Sequence, residues 1–156
     1  MSVVVTPNGT RGVKFPVSTR LMALFTRIPV GLQRLSGGRM KMHGEPLLLL
    51  STRGARSGQP RTSMIAQFPE ADGSTLVVAS FGGAANHPAW YFNIARHPDQ
   101  VFIEKNGRRV QVRPTSLSGE ERDRAWQRIV TIAPGFAEYQ RKTDREIPVI
   151  RLTPTA

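Results

Sequence analysis

The sequence predicts an α+β fold, a mostly antiparallel sheet or small barrel with helices packed outside. Two observations predict it. Short strand-like runs lie close together along the chain, and turn signals of the hairpin kind link neighbours. Residues 1–16 read as a flexible tail ahead of a single domain over 17–156, which is long enough for a real core.

The elements follow in order. Val17 to Leu35 reads as an amphipathic helix, because Leu21, Leu24, Phe25, Ile28, Leu32 and Leu35 fall near i, i+3, i+4, i+7 spacing. Arg20, Arg27 and Arg34 recur on one of its faces. Pro29 removes a backbone donor and is expected to kink or split it. Gly37-Gly38 ends it. Strands are expected at Leu47 to Thr52, Thr62 to Phe68, Thr75 to Phe81, Val101 to Lys105, Arg109 to Thr115 and Ile147 to Leu152. Asn106-Gly107 marks a hairpin. Pro88 to Ala95 reads as a short helix opened by proline. Ser118 and Glu121 have capping-box spacing for a helix reaching about Thr131.

Composition excludes several chemistries. There is no cysteine, so disulfides, thiolate catalysis and cysteine-based metal sites are out. His43, His87 and His97 lack metal-ligand spacing and no HExxH is present, so no metal is expected. No GxSxG, P-loop or dinucleotide fingerprint occurs. No apolar stretch approaches the roughly 20 residues of a membrane span, and the start lacks a secretory pattern. The expected location is therefore the cytoplasm. The net charge is +11, and it is uneven. Met1 to Pro69 holds ten Lys and Arg against Glu45 alone, whereas Glu70 to Ala156 holds twelve against ten acids. Such asymmetry points to an anionic partner.

Two glycine-bearing turns localise that partner. The first is Arg53-Gly54-Ala55-Arg56-Ser57-Gly58-Gln59-Pro60-Arg61. Glycines let backbone N–H groups approach an anion, and guanidinium forks match phosphate or carboxylate oxygens. The second is Ser80-Phe81-Gly82-Gly83, followed by the aromatic helix with Trp90 and Tyr91. Together they suit a flat ligand that carries negative charge.

Four collinear pieces then carry a family resemblance: Leu49 to Arg61, Val77 to Gly83, Pro88 to Asn93, and Tyr139 to Val149 with its Y-Q-x-x-T-D-R-x-I-P-V pattern. The chain resembles the deazaflavin-dependent nitroreductase family of actinobacteria from about Pro46 to Pro154. The resemblance implies a split β-barrel of mostly antiparallel strands, with helices outside and an N-terminal amphipathic helix. It implies coenzyme F420, a deazaflavin with a phosphate and an oligoglutamate tail, and hydride transfer to an electron-poor acceptor: an activated C=C, a quinone or a nitro compound.

By that resemblance Arg53, Gly54, Arg56, Ser57, Gly58, Pro60 and Arg61 hold the phosphate and the start of the tail. Val78, Ala79, Ser80, Gly82 and Gly83 lie along the deazaflavin, and Trp90 and Asn93 complete its wall. Arg20 and Arg27 on the N-terminal helix reach the tail. Tyr139, assisted by Ser80, donates a proton or hydrogen bond to the acceptor, in a pocket lined by Ala66, Ala133, Phe136 and Tyr139. The pattern departs from the family in three places. Arg61 is followed by Thr62-Ser63-Met64 rather than Asn-Pro, Phe81 stands where lysine is common, and Ala133 and Phe136 take tyrosine positions. The last change favours a hydrophobic enone or quinone over a nitro compound. Flavin mononucleotide is the alternative cofactor. A nucleic-acid binder, or a membrane-surface module acting through 17–35, is the alternative function.

Overall fold

A computed structural model describes residues 2–15, 29–37, 39–42, 44–105 and 107–156. The expectations for Leu21, Leu24, Phe25, Ile28, Arg20, Arg27 and the kink at Pro29 fall on or against residues 16–28, outside the described residues. Residues 29–35 are helical, as expected, and are labelled α1. The other elements are β1 (Lys41–Met42), β2 (Glu45–Arg53), β3 (Pro60–Ala66), β4 (Phe68–Pro69), β5 (Thr75–Val78), α2 (Ala89–Arg96), β6 (Phe102–Lys105), β7 (Arg108–Ser116), α3 (Gly119–Ile132), α4 (Gly135–Lys142) and β8 (Val149–Pro154).

All strand pairings are antiparallel. The ladder runs β2-β6-β7-β8-β5-β4. One residue, Gln67, separates β4 from β3, and β3 pairs back onto β2 from Leu47↔Ala66 to Arg53↔Pro60. That bent strand therefore closes the sheet on itself and removes two open edges. Gln67 holds the bend: its N–H donates to the Pro46 carbonyl (3.1 Å) and its side-chain oxygen accepts from Thr75 Oγ1 (3.2 Å).

The four leucines of β2 show why the run does not alternate with polar residues. Leu48 and Leu50 pack with Val77, Ile103, Val112, Ile150 and Leu152, and with Trp90, Tyr91 and Ile94 of α2. Leu47 faces the opposite cluster, with Phe68, Leu76, Val78 and Val149 under Ala125, Ile129 and Phe136 of α3 and α4. A strand covered on both faces reads as a continuous apolar run.

The structure corrects the sequence reading in four places. The third strand stops at Val78 rather than Phe81, because Ser80 is in the right-handed helical region and Phe81, Gly82 and Gly83 have positive φ. The capping box at the start of α3 does not form. Ser118 makes no side-chain cap, and Glu121 instead reaches Arg151 on β8 (2.5 Å). Helix α4 has no counterpart in the expected elements, since eight residues carry too few turns to show a period.

The fourth correction concerns the expected loose tail. Residues 2–15 are strapped across the fold. Tyr91 Oη donates to the Val4 carbonyl (2.9 Å), Gly9 N–H to Ala85 O (2.8 Å), and Val13 N–H to Gly83 O (3.0 Å). Asp144 accepts from Thr10 N–H and Arg11 N–H, both at 2.9 Å. Backbone pairing, which composition does not report, holds this segment down.

Candidate functional site

The first turn is built around Gly58, whose φ of +67° suits glycine. Gly58 N–H donates to Gly54 O (2.9 Å) and Gly54 N–H to Gln59 O (2.8 Å), which closes the loop between β2 and β3. Arg53 is tied to Gln100 Oε1 (3.0 Å), and Arg61 approaches Ser57 Oγ (3.4 Å). Arg53, Arg56, Ser57, Pro60 and Arg61 are all exposed. Among the described residues none of the three arginines is ion-paired. Three unneutralised guanidiniums around a backbone turn form a surface for phosphate or carboxylate oxygens.

Asn93 belongs beneath this turn. It is 6% exposed. Its Oδ1 accepts from Ala55 N–H (2.9 Å) and its Nδ2 donates to Thr52 Oγ1 (3.1 Å). Its amide thus ties α2 to the loop. Trp90 is 7% exposed and packs into the barrel core with Leu48 and Ile150. Trp90 and Asn93, expected to complete the cofactor wall, both sit on α2 and are nearly covered by protein, with Asn93 bonded to the first turn.

The second turn follows β5. Val78 and Ala79 are buried, on opposite sides of the sheet. Ala79 N–H donates to Pro148 O (3.0 Å) and Gly83 N–H to Ser80 O (2.9 Å), so both amides are already engaged within the protein. Ser80, Phe81 and Gly82 are the half-buried residues of the turn. The Phe15 ring of the strap lies 5.2 Å from that of Phe81. Gly83 is pressed against α4: a Cβ there would stand 2.7 Å from the Tyr139 carbonyl oxygen.

Arg145 grips this turn from behind. The residue is 3% exposed. Its Nε donates to Ala84 O (2.8 Å), one Nη to Ala79 O (3.1 Å) and to His87 Nδ1 (3.2 Å), and the other Nη to Ser80 O (2.7 Å). Burial lowers its pKa from the usual value. His87 Nε2 lies 2.9 Å from Thr6 O and 3.1 Å from Pro7 O. The two carbonyls require a proton on Nε2 and Arg145 requires none on Nδ1, so the neutral Nε2–H tautomer fits. Burial first, and then the Arg145 charge, pulls the His87 pKa down. Helix α2 therefore joins the two turns, with His87 held at its approach and Asn93 within it. Arg145 and His87 were missed as site residues. The Thr143-Asp144-Arg145 triplet inside the fourth motif is the signal that could have found the arginine.

The expected acceptor residues come together in one cluster, but most are packed. Ala66, Ala133 and Phe136 are buried in one core cluster with Ala125 and Ile129 of α3. Phe136 meets Phe68 edge-on at 5.7 Å and Tyr139 at 5.6 Å. Tyr139 is half-buried at the margin of this cluster, on the helix that touches Gly83. A cleft of about 410 Å³ lined by Thr6 to Thr10 and Asp144 to Glu146 includes none of the expected site residues.

A sequence model of the family described as F420H(2)-dependent quinone reductase matches residues 25–154. The chain belongs to this family. The F420H(2)-dependent quinone reductase Rv1261c of Mycobacterium tuberculosis is 34% identical over 147 residues, covering 92% of this chain and 97% of that protein. A solved F420-H2 dependent reductase, FDR-A, is 38% identical, covers 68% of this chain and 92% of that one, and superposes with a TM-score of 0.60. Campylobacter jejuni ChuZ, 15% identical with a TM-score of 0.53 over 97% of this chain, shares the fold alone. This quinone-reductase family member is thus an F420-dependent oxidoreductase on a split β-barrel. Its first turn fits the group: F420 carries phosphate and carboxylates, and the three arginines there lack anionic partners among the described residues.

Proposed function

We propose that this reductase passes a hydride from reduced F420 to a quinone, with the cofactor lying across the two turns that α2 joins. The observation that carries this reading is the set of guanidiniums of Arg53, Arg56 and Arg61 around the Gly58 loop, none of them ion-paired among the described residues. Arg56, Ser57, Gly58 and Arg61 bind the phosphate and the start of the tail, while Gly54 and Pro60 shape the loop. Ser80, Gly82 and Gly83 border the ring. When bound, reduced F420 supplies the hydride; with one proton this turns a quinone into a hydroquinone.

The chain's own part is to bind, orient and supply that proton. Tyr139, half-buried beside the apolar cluster, holds a hydroxyl for the acceptor oxygen, and Ser80 assists. The apolar side chains behind Tyr139 favour a hydrophobic ring over a small polar acceptor.

Fluorescence titration with F420 and, in parallel, flavin mononucleotide tests this reading, followed by F420H2 oxidation with menadione. Selective F420 binding and menadione reduction are expected. Preference for flavin, or no turnover of the quinone, would reject it.

A second reading concerns where the acceptor is met. Leu32 and Leu35 on α1 are 51% and 86% exposed, which suits contact with a lipid surface from which a quinone could be drawn. No described helix is long and apolar enough to cross a membrane. Co-sedimentation with anionic liposomes should drop in the Leu32→Gln, Leu35→Gln double variant; equal partitioning would reject the contact.

A further inference from the structure

We infer that Arg145 is a positioning residue for the reaction: it turns the peptide planes of the second turn so that the amides of Ser80 and Phe81 face the cofactor's polar edge. The inference rests on the reading that places the cofactor against this turn.

Three observations carry it. First, Arg145 is a buried cation that forms no ion pair among the described residues. Taking a cation out of water is expensive unless its donors are matched. Here four contacts match them, and three go to backbone carbonyls of Ala79, Ser80 and Ala84. A fold needing only a filled core would place an apolar side chain here.

Second, the peptide bonds are trans. In a trans peptide the N–H points opposite to the C=O. With the Ala79 and Ser80 carbonyls drawn toward Arg145, the Ser80 and Phe81 N–H groups are turned away from it. Ser80, in the right-handed region, and Phe81, at φ +45°, are both half-buried rather than sealed in the core.

Third, the guanidinium cannot slide out of this arrangement. His87 Nδ1 takes one of its protons, and His87 is held in turn by the Thr6 and Pro7 carbonyls of the strap. The charge therefore stands fixed directly behind the turn, where it adds to the pull of the two amides on an electron-rich edge.

Titration of 15N-labelled protein with F420, read by amide chemical shifts, and separate thermal melts test this in wild type, Arg145→Lys and Arg145→Gln. In wild type the Ser80 and Phe81 signals should move on binding. Arg145→Gln should bind F420 about tenfold more weakly, the scale of losing charge-assisted order, with those shifts reduced. Arg145→Lys keeps the charge without the fork and should fall between. Should Arg145→Gln fail to fold, Arg145→Lys decides alone. A melting temperature that drops in the folded variants while affinity and both shifts stay unchanged would leave Arg145 purely structural and overturn the inference. Tight wild-type binding with no movement at Ser80 and Phe81 would instead overturn the placement of the cofactor on which it rests.

Discussion

Asn93→Ala separates holding the first turn from touching the cofactor. Asn93 is buried, and its amide is the partner of Ala55 N–H and Thr52 Oγ1. Removing it strands both. Ala55 is half-exposed, so water reaches its N–H and the loss there is about 1 kcal/mol; the buried Thr52 hydroxyl adds about 1 kcal/mol, and a small cavity about 0.5–1 kcal/mol. The total is roughly 2.5–3 kcal/mol. For a domain of this size each kcal/mol moves Tm by about 2–4 °C, so a fall of roughly 5–12 °C is expected. F420 affinity should fall as well, because the loop loses its pinned shape. Circular dichroism melts paired with F420 titration read both quantities. If affinity falls while Tm stays within about 2 °C, Asn93 contacts the ligand directly and the anchoring argument is refuted.

The remaining expectations are separable by the same two assays. Arg56→Ala and Arg61→Ala should each weaken F420 binding by about 1.5–3 kcal/mol with little change in Tm, since both residues are exposed; unchanged affinity in both would remove the first turn from the site. Tyr139→Phe should lower kcat for menadione while F420 affinity holds, and a drop in affinity would instead move Tyr139 to the cofactor wall. Gly83→Ala and Gly73→Ala both impose a side chain at positive φ, at roughly 1–2 kcal/mol, but only Gly83 also meets backbone, at 2.7 Å. Its melt should therefore fall clearly further than that of Gly73→Ala. Stability should decline on acidification in two steps. His87, held below its ordinary 6.5, remains neutral in the fold while the unfolded chain takes a proton, so stability falls as pH drops below about 6.5 toward the folded pKa. Asp144, held at about 2 by the Thr10 and Arg11 hydrogen bonds, contributes stability above 3.8 that is lost as pH falls toward 2. Urea midpoints at pH 7.5 and 5 should differ, and His87→Gln should shrink that difference.

Much of the barrel was legible because its signals are local. Leu47 to Thr52 reads as a strand from its run, and Asn106-Gly107 as a hairpin from its dipeptide. The closure was not legible, because it depends on Gln67 lying between two pairing partners that are distant in sequence. The first-turn arginines could be named from their glycine context. Asn93 could be placed beside the two turns, but its bonds to Ala55 and Thr52 could not be read, since a motif gives proximity without saying which way an amide turns. Arg145 was passed over because arginine is usually exposed, and only three carbonyls arriving from another part of the chain make its burial tolerable. The strap was misread for the same reason: Val3 to Thr10 has no periodicity, and its partners are 76 to 134 residues away.

That separation has a consequence for how the protein is made. Thr10 is placed by Asp144, 134 positions later. At roughly 5–20 residues per second of synthesis, the segment waits roughly 7–27 s after translation before its partner exists. The strap residues leave the ribosome early relative to their partners and are thus among the last of the fold to be placed, sealing the rear of the second turn only after β5, α2 and the Asp144-Arg145 pair are in position. A tag fused to the amino terminus would ride on this late step.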